Sequence, residues 1–248
     1  MKITSFLFST FVDKERFLKV GYSKTAGKNH TGRTTVFHMG GGHKRKKRYV
    51  DNTLGKFSLK AIVEQVVYDP TRSNNLLLMR LPIDSKGKSL YFYTPSSLNV
   101  NENSFLYFGG TAKPMLGNRV ELSSIPTGSL IHNVEMKPGE GAKLARSAGT
   151  SCRVIRNDGK VTVLVKAPSG QTFDLNKKCF ATVGSAGNSL HKNNFLKKAG
   201  SARWLGVRPV VRGIAMNPVD HPHGGRTDGG RHPRTPWGKL TRGVKTKK

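Results

Sequence analysis

Acidic side chains are scarce in this chain: 14 Asp and Glu stand against 43 Lys and Arg in 248 residues, a formal net charge of +29. A surplus of one sign on this scale repels itself in a compact state and is best tolerated where phosphates neutralise it. Hydrophobic residues make up only 35% of the chain, too few for one large core but enough for two small ones. No apolar run approaches the roughly 20 residues of a membrane-spanning helix, so a membrane is not among the expected partners. Cysteine is almost absent. Cys152 and Cys179 lack a CxxC spacing or a nearby histidine pair, and they read as buried free thiols rather than zinc ligands or a disulfide. A cleavable leader is not expected either. The apolar patch Ile3–Val12 is broken by hydroxyl residues, is followed by Asp13 and Glu15, and has no small-residue cleavage site. It reads as part of the mature chain, with Phe6, Leu7, Phe8 and Phe11 suited to docking on a neighbouring protein.

The positive charge is unevenly spread. Residues 1–59 hold 13 basic and 3 acidic side chains, residues 60–140 hold 8 and 7, residues 141–197 hold 10 and 2, and residues 198–248 hold 12 and 2. A near-neutral centre between basic flanks fits a small folded body with nucleic-acid-binding extensions. The first flank, Gly21–Arg48, is rich in Gly, Thr and Lys and ends in the cluster Lys44, Arg45, Lys46, Lys47 and Arg48. That cluster suits phosphate binding or, less specifically, a localisation signal. Gly40–Gly42 lets the backbone approach a surface that a side chain would block. A nucleotide-hydrolase phosphate loop is excluded: five residues rather than four separate Gly21 from Gly27-Lys28, and Asn29 stands where Ser or Thr is required.

The centre reads as short strands. LKAIVEQVVYD from Leu59, NLLLMRL, SLYFYT, SFLYFG and, less clearly, RVELSSI are separated by turn residues such as Asp69-Pro70 and Lys86-Gly87. Five such runs suggest an OB-like barrel over residues 46–125, after a basic extension over 1–45. A second set starts with SLIHNVEM near Leu130. It continues through two hairpins turning at Asn157-Asp158-Gly159 and Pro168-Ser169-Gly170, and closes at Phe180–Val183. This set fits an SH3-like barrel over residues 126–198. The spacing predicts a short helix over Asn188–Lys198, with Asn188 as N-cap and Gly200 just past its end. The expected fold is thus mainly β, two small barrels with long irregular basic extensions at both ends.

The last segment, residues 199–248, is different. Five prolines and nine glycines between Lys198 and Lys248 prevent any packed helix or sheet from dominating, yet the segment keeps Trp237, three histidines and spaced arginines. Such a chain is expected to fold against a polyanion. Arg203, Arg208 and Arg212 present forked donors that suit phosphate pairs better than lysine would. Trp237, between Pro236 and Gly238, is expected to abut RNA, whereas Trp204 suits either packing on the second barrel or base stacking. His221 and His223 flank Pro222. On an extended chain, side chains two apart point to opposite sides, which predicts contacts with different RNA groups and no shared metal. Asp220 is placed to orient His221, but no Ser or Cys nucleophile lies beside them, so catalysis has little local support.

Five blocks carry a resemblance. HTGRTTVFHMGGGHKRKKR (His30–Arg48), VVYDPTRSNN (Val66–Asn75), HNVEMKPGEGAKLARSAGT (His132–Thr150), ARWLGVRPVVRG (Ala202–Gly213) and MNPVDHPHGG (Met216–Gly225) occur in one order and resemble the universal large-subunit ribosomal protein two. The resemblance implies an OB-like and an SH3-like barrel with both extensions threaded into large-subunit rRNA. It also implies a structural, non-enzymatic role near the peptidyl transferase centre and in subunit assembly and association. Its implied partners are large-subunit rRNA, neighbouring ribosomal proteins and the small subunit, with no small-molecule substrate and no cofactor beyond rRNA-associated Mg²⁺. The rRNA-binding residues expected are Lys44–Arg48, Arg72 and Arg146 from the barrels, and Arg203, Arg208, Arg212, His221, His223, Arg226, Arg231 and Trp237 from the tail. Bacterial members have longer N- and C-terminal ends, and their glycine-rich turn after the histidines is longer than Gly224–Gly230 here. The run RTDGGRHPRTPWG, with heavy use of Lys, Asn and Phe, favours a mitochondrial ribosome, with plastid and bacterial ribosomes as the alternatives. Two other classes compete: an acyl-transfer or RNA-cleaving enzyme built on Asp220 and His221, and a histone-like DNA-compaction protein.

Overall fold

The structure, a computed structural model, describes residues 17–82, 89–158, 161–225 and 232–243. The patch Ile3–Val12, the turn residue Gly159, and Arg226 and Arg231 lie outside the described residues. The chain divides into two compact units, one drawn from Met1–Tyr22 with Lys44–Phe195, the other from Ser23–His43 with Leu196–Lys248.

The first unit is a pair of β-barrels. Strands β1 (Lys19–Gly21) and β2 (Lys46–Arg48) form an antiparallel pair. Strands β3 (Leu59–Val67), β4 (Leu76–Pro82), β5 (Ser89–Pro95) and β6 (Phe105–Phe108) form the first barrel's sheet, in the order β6-β3-β4-β5. The apolar run of β4 is nearly continuous because both of its faces are covered. Leu77 and Met79 join Ala61, Val63, Phe92 and Phe108 in the barrel core, while Leu76 and Leu78 pack with Tyr91, Tyr93 and Leu18 on the other face. Leu18, fully buried, therefore anchors the β1–β2 pair to the barrel, and Asp51 N–H donates to the Tyr93 carbonyl at 3.0 Å just beyond β2.

Strand β7 (Arg119–Glu121) joins the two barrels. It meets β6 in parallel at Phe108–Arg119 and runs antiparallel to the closing strand of the second barrel. That barrel contains β8 (Leu130–His132), the short pair β9 (Val134–Glu135) and β10 (Ala142–Leu144), β11 (Cys152–Arg156), β12 (Thr162–Lys166), β13 (Thr172–Asn176) and β14 (Phe180–Val183). One ten-stranded sheet thus runs β13-β12-β11-β8-β14-β7-β6-β3-β4-β5. The run read as the first barrel's fifth strand splits into β7 and a 3-10 turn, and its Val120, Leu122 and Ile125 lie in the second core with Ile131, Val154, Val163 and Val165. Cys152 and Cys179 are free and buried in this core, and burial pushes both thiols up to about 11.

The helix predicted over Asn188–Lys198 is not formed. Asn188 is left-handed, a 3-10 turn spans Ser189–Asn193, and the single α-helix of the described residues, α1, spans Ala199–Trp204 and contains Gly200. The reason is tertiary: Asn188 Nδ2 donates to the Ser73 carbonyl at 2.7 Å, so the supposed cap is occupied 115 residues away.

The second unit gathers the arm Ser23–His43 and the tail from Leu196 onward. Met39 bridges to Val207, Arg208 N–H donates to the His38 carbonyl at 2.7 Å, and His43 N–H donates to the Trp204 carbonyl at 3.0 Å. The surface that the glycine triplet approaches is thus the chain's own tail. A Cβ on Gly42 (φ +76°) would stand 2.5 Å from Gly206 N and 2.7 Å from the Trp204 carbonyl, which only glycine avoids.

Candidate nucleic-acid interface

Three of the basic groups expected from the sequence converge in the first unit around one carboxylate. Asp69 is fully buried at the end of β3, and its Oδ1 accepts from Thr71 N–H at 2.9 Å and Thr71 O–H at 2.8 Å, closing a tight Asx turn. Its Oδ2 accepts from Arg72 Nε–H at 2.8 Å, which holds the rest of the guanidinium fork in one orientation. Arg48 from β2 stands 3.8 Å from Asp69 Oδ1, and Arg45 donates to the Pro70 carbonyl at 3.2 Å. The cluster Lys44–Arg48 accordingly runs into a pinned strand, Lys46–Arg48, rather than ending a free arm. Lys44, Lys46 and Lys47 are exposed; Arg45 and Arg48 are half-buried.

The second barrel supplies Arg146. Its loop is tied to the first barrel by Ala148 N–H donating to Ser73 Oγ at 3.1 Å and by the Asn188–Ser73 bond. Gly149 N–H donates to the Gly187 carbonyl, and Gly187 N–H donates to the Ser96 carbonyl at 2.9 Å, which extends the seam. The Arg146 guanidinium is held below its ordinary range by partial burial first and by repulsion from Arg72 second. Arg72, pinned on Asp69, thus stands next in sequence to Ser73, the residue to which the Arg146 loop is tied, and the two like charges oppose each other. Repulsion of this kind is relieved by an anion placed between them.

In the second unit the tail histidines depart from the expected geometry. Pro222 lies inside a tight turn in which Gly224 N–H donates to the His221 carbonyl at 2.9 Å. The turn brings the two imidazoles to the same side, with centroids 4.7 Å apart. His223 N–H donates to His221 Nδ1 at 3.1 Å, so in the neutral ring the proton lies on Nε2 and Nδ1 has no proton to donate to Asp220. His221 is only 7% exposed and its ring lies on Gly213, where a Cβ would stand 2.5 Å from Nδ1. His223 Nε2 accepts from Arg234 N–H at 3.0 Å. Among the described residues no group of three His, Cys, Asp or Glu side chains is placed to hold a metal ion.

Arg203, Arg208 and Arg212 are exposed and have no acidic partner among the described residues. Trp204 is 61% exposed, with Lys198 Nζ 5.1 Å from its ring centre. Trp237 stacks near-parallel to Phe37, with centroids 6.4 Å apart and planes 20° from parallel.

Comparison with known families decides the relationship. The profile described as Ribosomal Proteins L2, RNA binding N-terminal domain, matches residues 15–103, and that described as Ribosomal Proteins L2, C-terminal domain, matches residues 115–238. The chain belongs to the ribosomal protein L2 family. It is therefore a structural, RNA-binding component of the large ribosomal subunit. The Asp69–Arg72 turn lies within the match to the L2 RNA-binding domain, and Arg146 lies within the match to the L2 C-terminal domain. Among the described residues no helix is long and apolar enough to cross a membrane.

Two buried polar groups in the L2 barrels were invisible to sequence reasoning. Arg119 and Glu135 form an ion pair at 3.0 Å with 5% and 0% of their side chains exposed. His132 is fully buried. In sequence each looks like an ordinary surface residue on a short strand, and no local spacing marks it.

Proposed function

We propose that the chain binds large-subunit rRNA through two surfaces. The first is the seam between the barrels, where Arg72 and Arg146 grip the phosphate backbone with Lys44–Arg48 beside them. The second is the arm-and-tail unit, where Arg203, Arg208, Arg212, Arg226, Arg231, His223 and Trp237 contact RNA and His221 shapes the turn that presents them. The reading is carried by the geometry of the seam: Asp69 orients the Arg72 fork, and the loop of Arg146 is tied to Ser73 beside it by Ala148 and Asn188. A structure that maintains such a pair gains most when a polyanion completes it.

The wider role follows from the family. The protein contributes to the rRNA architecture near the peptidyl transferase centre, to assembly of the large subunit and to its association with the small subunit, without catalysis of its own. The tail run RTDGGRHPRTPWG and the heavy use of Lys, Asn and Phe support a mitochondrial ribosome. The test is protein–RNA cross-linking with mass spectrometry on gradient-fractionated organelle lysate, following peptides that contain Arg72, Arg146 and residues 207–234. Cross-links to large-subunit rRNA near the peptidyl transferase centre are expected. A chain found only in light fractions during active translation refutes the reading.

A further inference from the structure

In the second unit, two aromatic side chains from opposite ends of the chain meet in the lining of an apolar groove. Phe37 sits on the arm turn in which Thr35 and Val36 N–H both donate to the Gly27 carbonyl. Trp237 sits near the tip of a tail turn closed by Gly238 N–H donating to the Thr235 carbonyl at 2.9 Å and by the Arg234–Leu240 bridge. Neither loop hides its ring: Phe37 is 58% exposed and Trp237 66% exposed. A folded chain gains little by leaving two large rings in water. Yet the loops hold them 20° from parallel, a geometry that suits a further flat π-system.

The groove they line has a volume of about 990 Å³. Its walls are largely apolar, with Met39, Val210 and Met216 among the lining, and Lys28 and Arg208 also border it. The unit as a whole carries 16 Lys and Arg against 2 Asp. Flat apolar faces next to cations that have no acidic partner among the described residues match a single unstacked nucleotide: the base on the rings, the phosphate on the cations. An apolar protein segment would use the walls but would leave Arg208 and Lys28 without a counter-charge.

We infer, resting on the rRNA-binding reading above, that the Phe37–Trp237 pair and its groove form a receptor for one nucleobase extruded from the rRNA stack, with Arg208 taking its phosphate. Stacking accepts any base face, so the receptor reads the unstacked state rather than a sequence. It thereby recognises a bulge or splayed loop and not a continuous duplex.

The experiment uses the full chain and a large-subunit rRNA transcript. Trp237→Phe keeps an aromatic face and Trp237→Leu keeps only apolar bulk. The Leu variant is expected to bind roughly tenfold more weakly than native, with Phe close to native, and both with an unchanged salt dependence because stacking releases no counterions. Arg208→Ala is expected to lower the salt slope by about one. In a Trp204→Phe chain, where Trp237 is the sole reporter, RNA is expected to quench the indole and shield it from acrylamide. Equal affinities for the Phe and Leu variants, or a Trp237 that stays acrylamide-accessible in a formed complex, overturn the receptor alone. Failure of the native chain to bind the transcript overturns the rRNA-binding reading and the receptor with it.

Discussion

Ser97 of the first barrel donates its hydroxyl proton to Nε2 of His132 in the second, across 3.2 Å in a fully closed interior. The other ring nitrogen, Nδ1, donates to the Gly184 carbonyl at 3.0 Å, so the tautomer is set from both sides. Burial pushes His132 from 6.5 down to about 4, with the Gly184 bond opposing and Arg119 adding to the fall. Since the folded value lies below the unfolded one, the unfolded chain binds the proton first. Stability from this group is complete above about pH 6.5 and is lost as pH falls towards about 4, by about 3 kcal/mol in all. Nitrogen NMR of labelled histidine is expected to find His132 neutral and Nδ1-protonated down to about pH 4. Titration near pH 6.5 would falsify this.

The buried pair Arg119–Glu135 is also a seam, and a more costly one to break. Glu135 Oε1 accepts from Arg119 at 3.0 Å, and Oε2 accepts from Phe180 N–H at 3.1 Å and Gly139 N–H at 3.2 Å. Arg119 also donates to the carbonyls of Asn133 and Asn52, at 2.9 and 3.0 Å. Burial alone lowers the arginine, and the Glu135 charge opposes that fall. Glu135→Ala leaves a cation in a dry interior and is expected to cost about 3–5 kcal/mol in urea unfolding. The double replacement Arg119→Met with Glu135→Leu is expected to recover most of that loss, because no charge is then stranded. Equal losses in the single and double variants would contradict the account.

The strands of the barrels were legible because each is a short apolar run between turn residues. Phe180–Val183 matches β14, and the runs at Leu59, Leu76, Ser89 and Phe105 match β3 to β6. Strand β2 was not legible as one, since Lys46–Arg48 has no apolar period and its pairing with β1 depends on Leu18 buried elsewhere. The histidine geometry failed for a related reason. Pro222 fits an extended chain and a tight turn equally well, and Gly224 N–H closing on the His221 carbonyl decides for the turn. Arg72 and Arg146 were each identifiable as cations in loops, but that their loops are tied together is a product of the Ser73, Ala148 and Asn188 contacts.

Those contacts bear on how the RNA seam responds to substitution. Arg72→Ala and Arg146→Ala are each expected to weaken rRNA binding and to lower the slope of log affinity against log salt by about one. Arg72→Lys is not expected to restore native affinity. The ammonium has no fixed fork, and once drawn to Asp69 it presents no oriented donors to a phosphate. Filter binding of the full chain at several salt concentrations checks all three, and an Arg72→Lys chain with native affinity refutes the oriented-fork account.

The tail's turn rests on a glycine packed against an imidazole. A methyl at Gly213 would lie 2.5 Å from Cε1 and Nδ1 of His221, so Gly213→Ala must displace the ring. Displacement breaks the bond from His223 N–H to Nδ1 and frees the turn that aligns the two rings. Hydrogen exchange is therefore expected to speed up at the His223 amide in Gly213→Ala, with a parallel fall in the fraction of chain that co-sediments with large subunits. His221→Ala is expected to do the same without any steric clash, because it removes the acceptor itself. Should Gly213→Ala leave both the amide and the sedimentation unchanged, the His221 ring does not organise the tail. Should His221→Ala alone impair sedimentation while amide exchange stays native, the imidazole acts through a direct RNA contact instead.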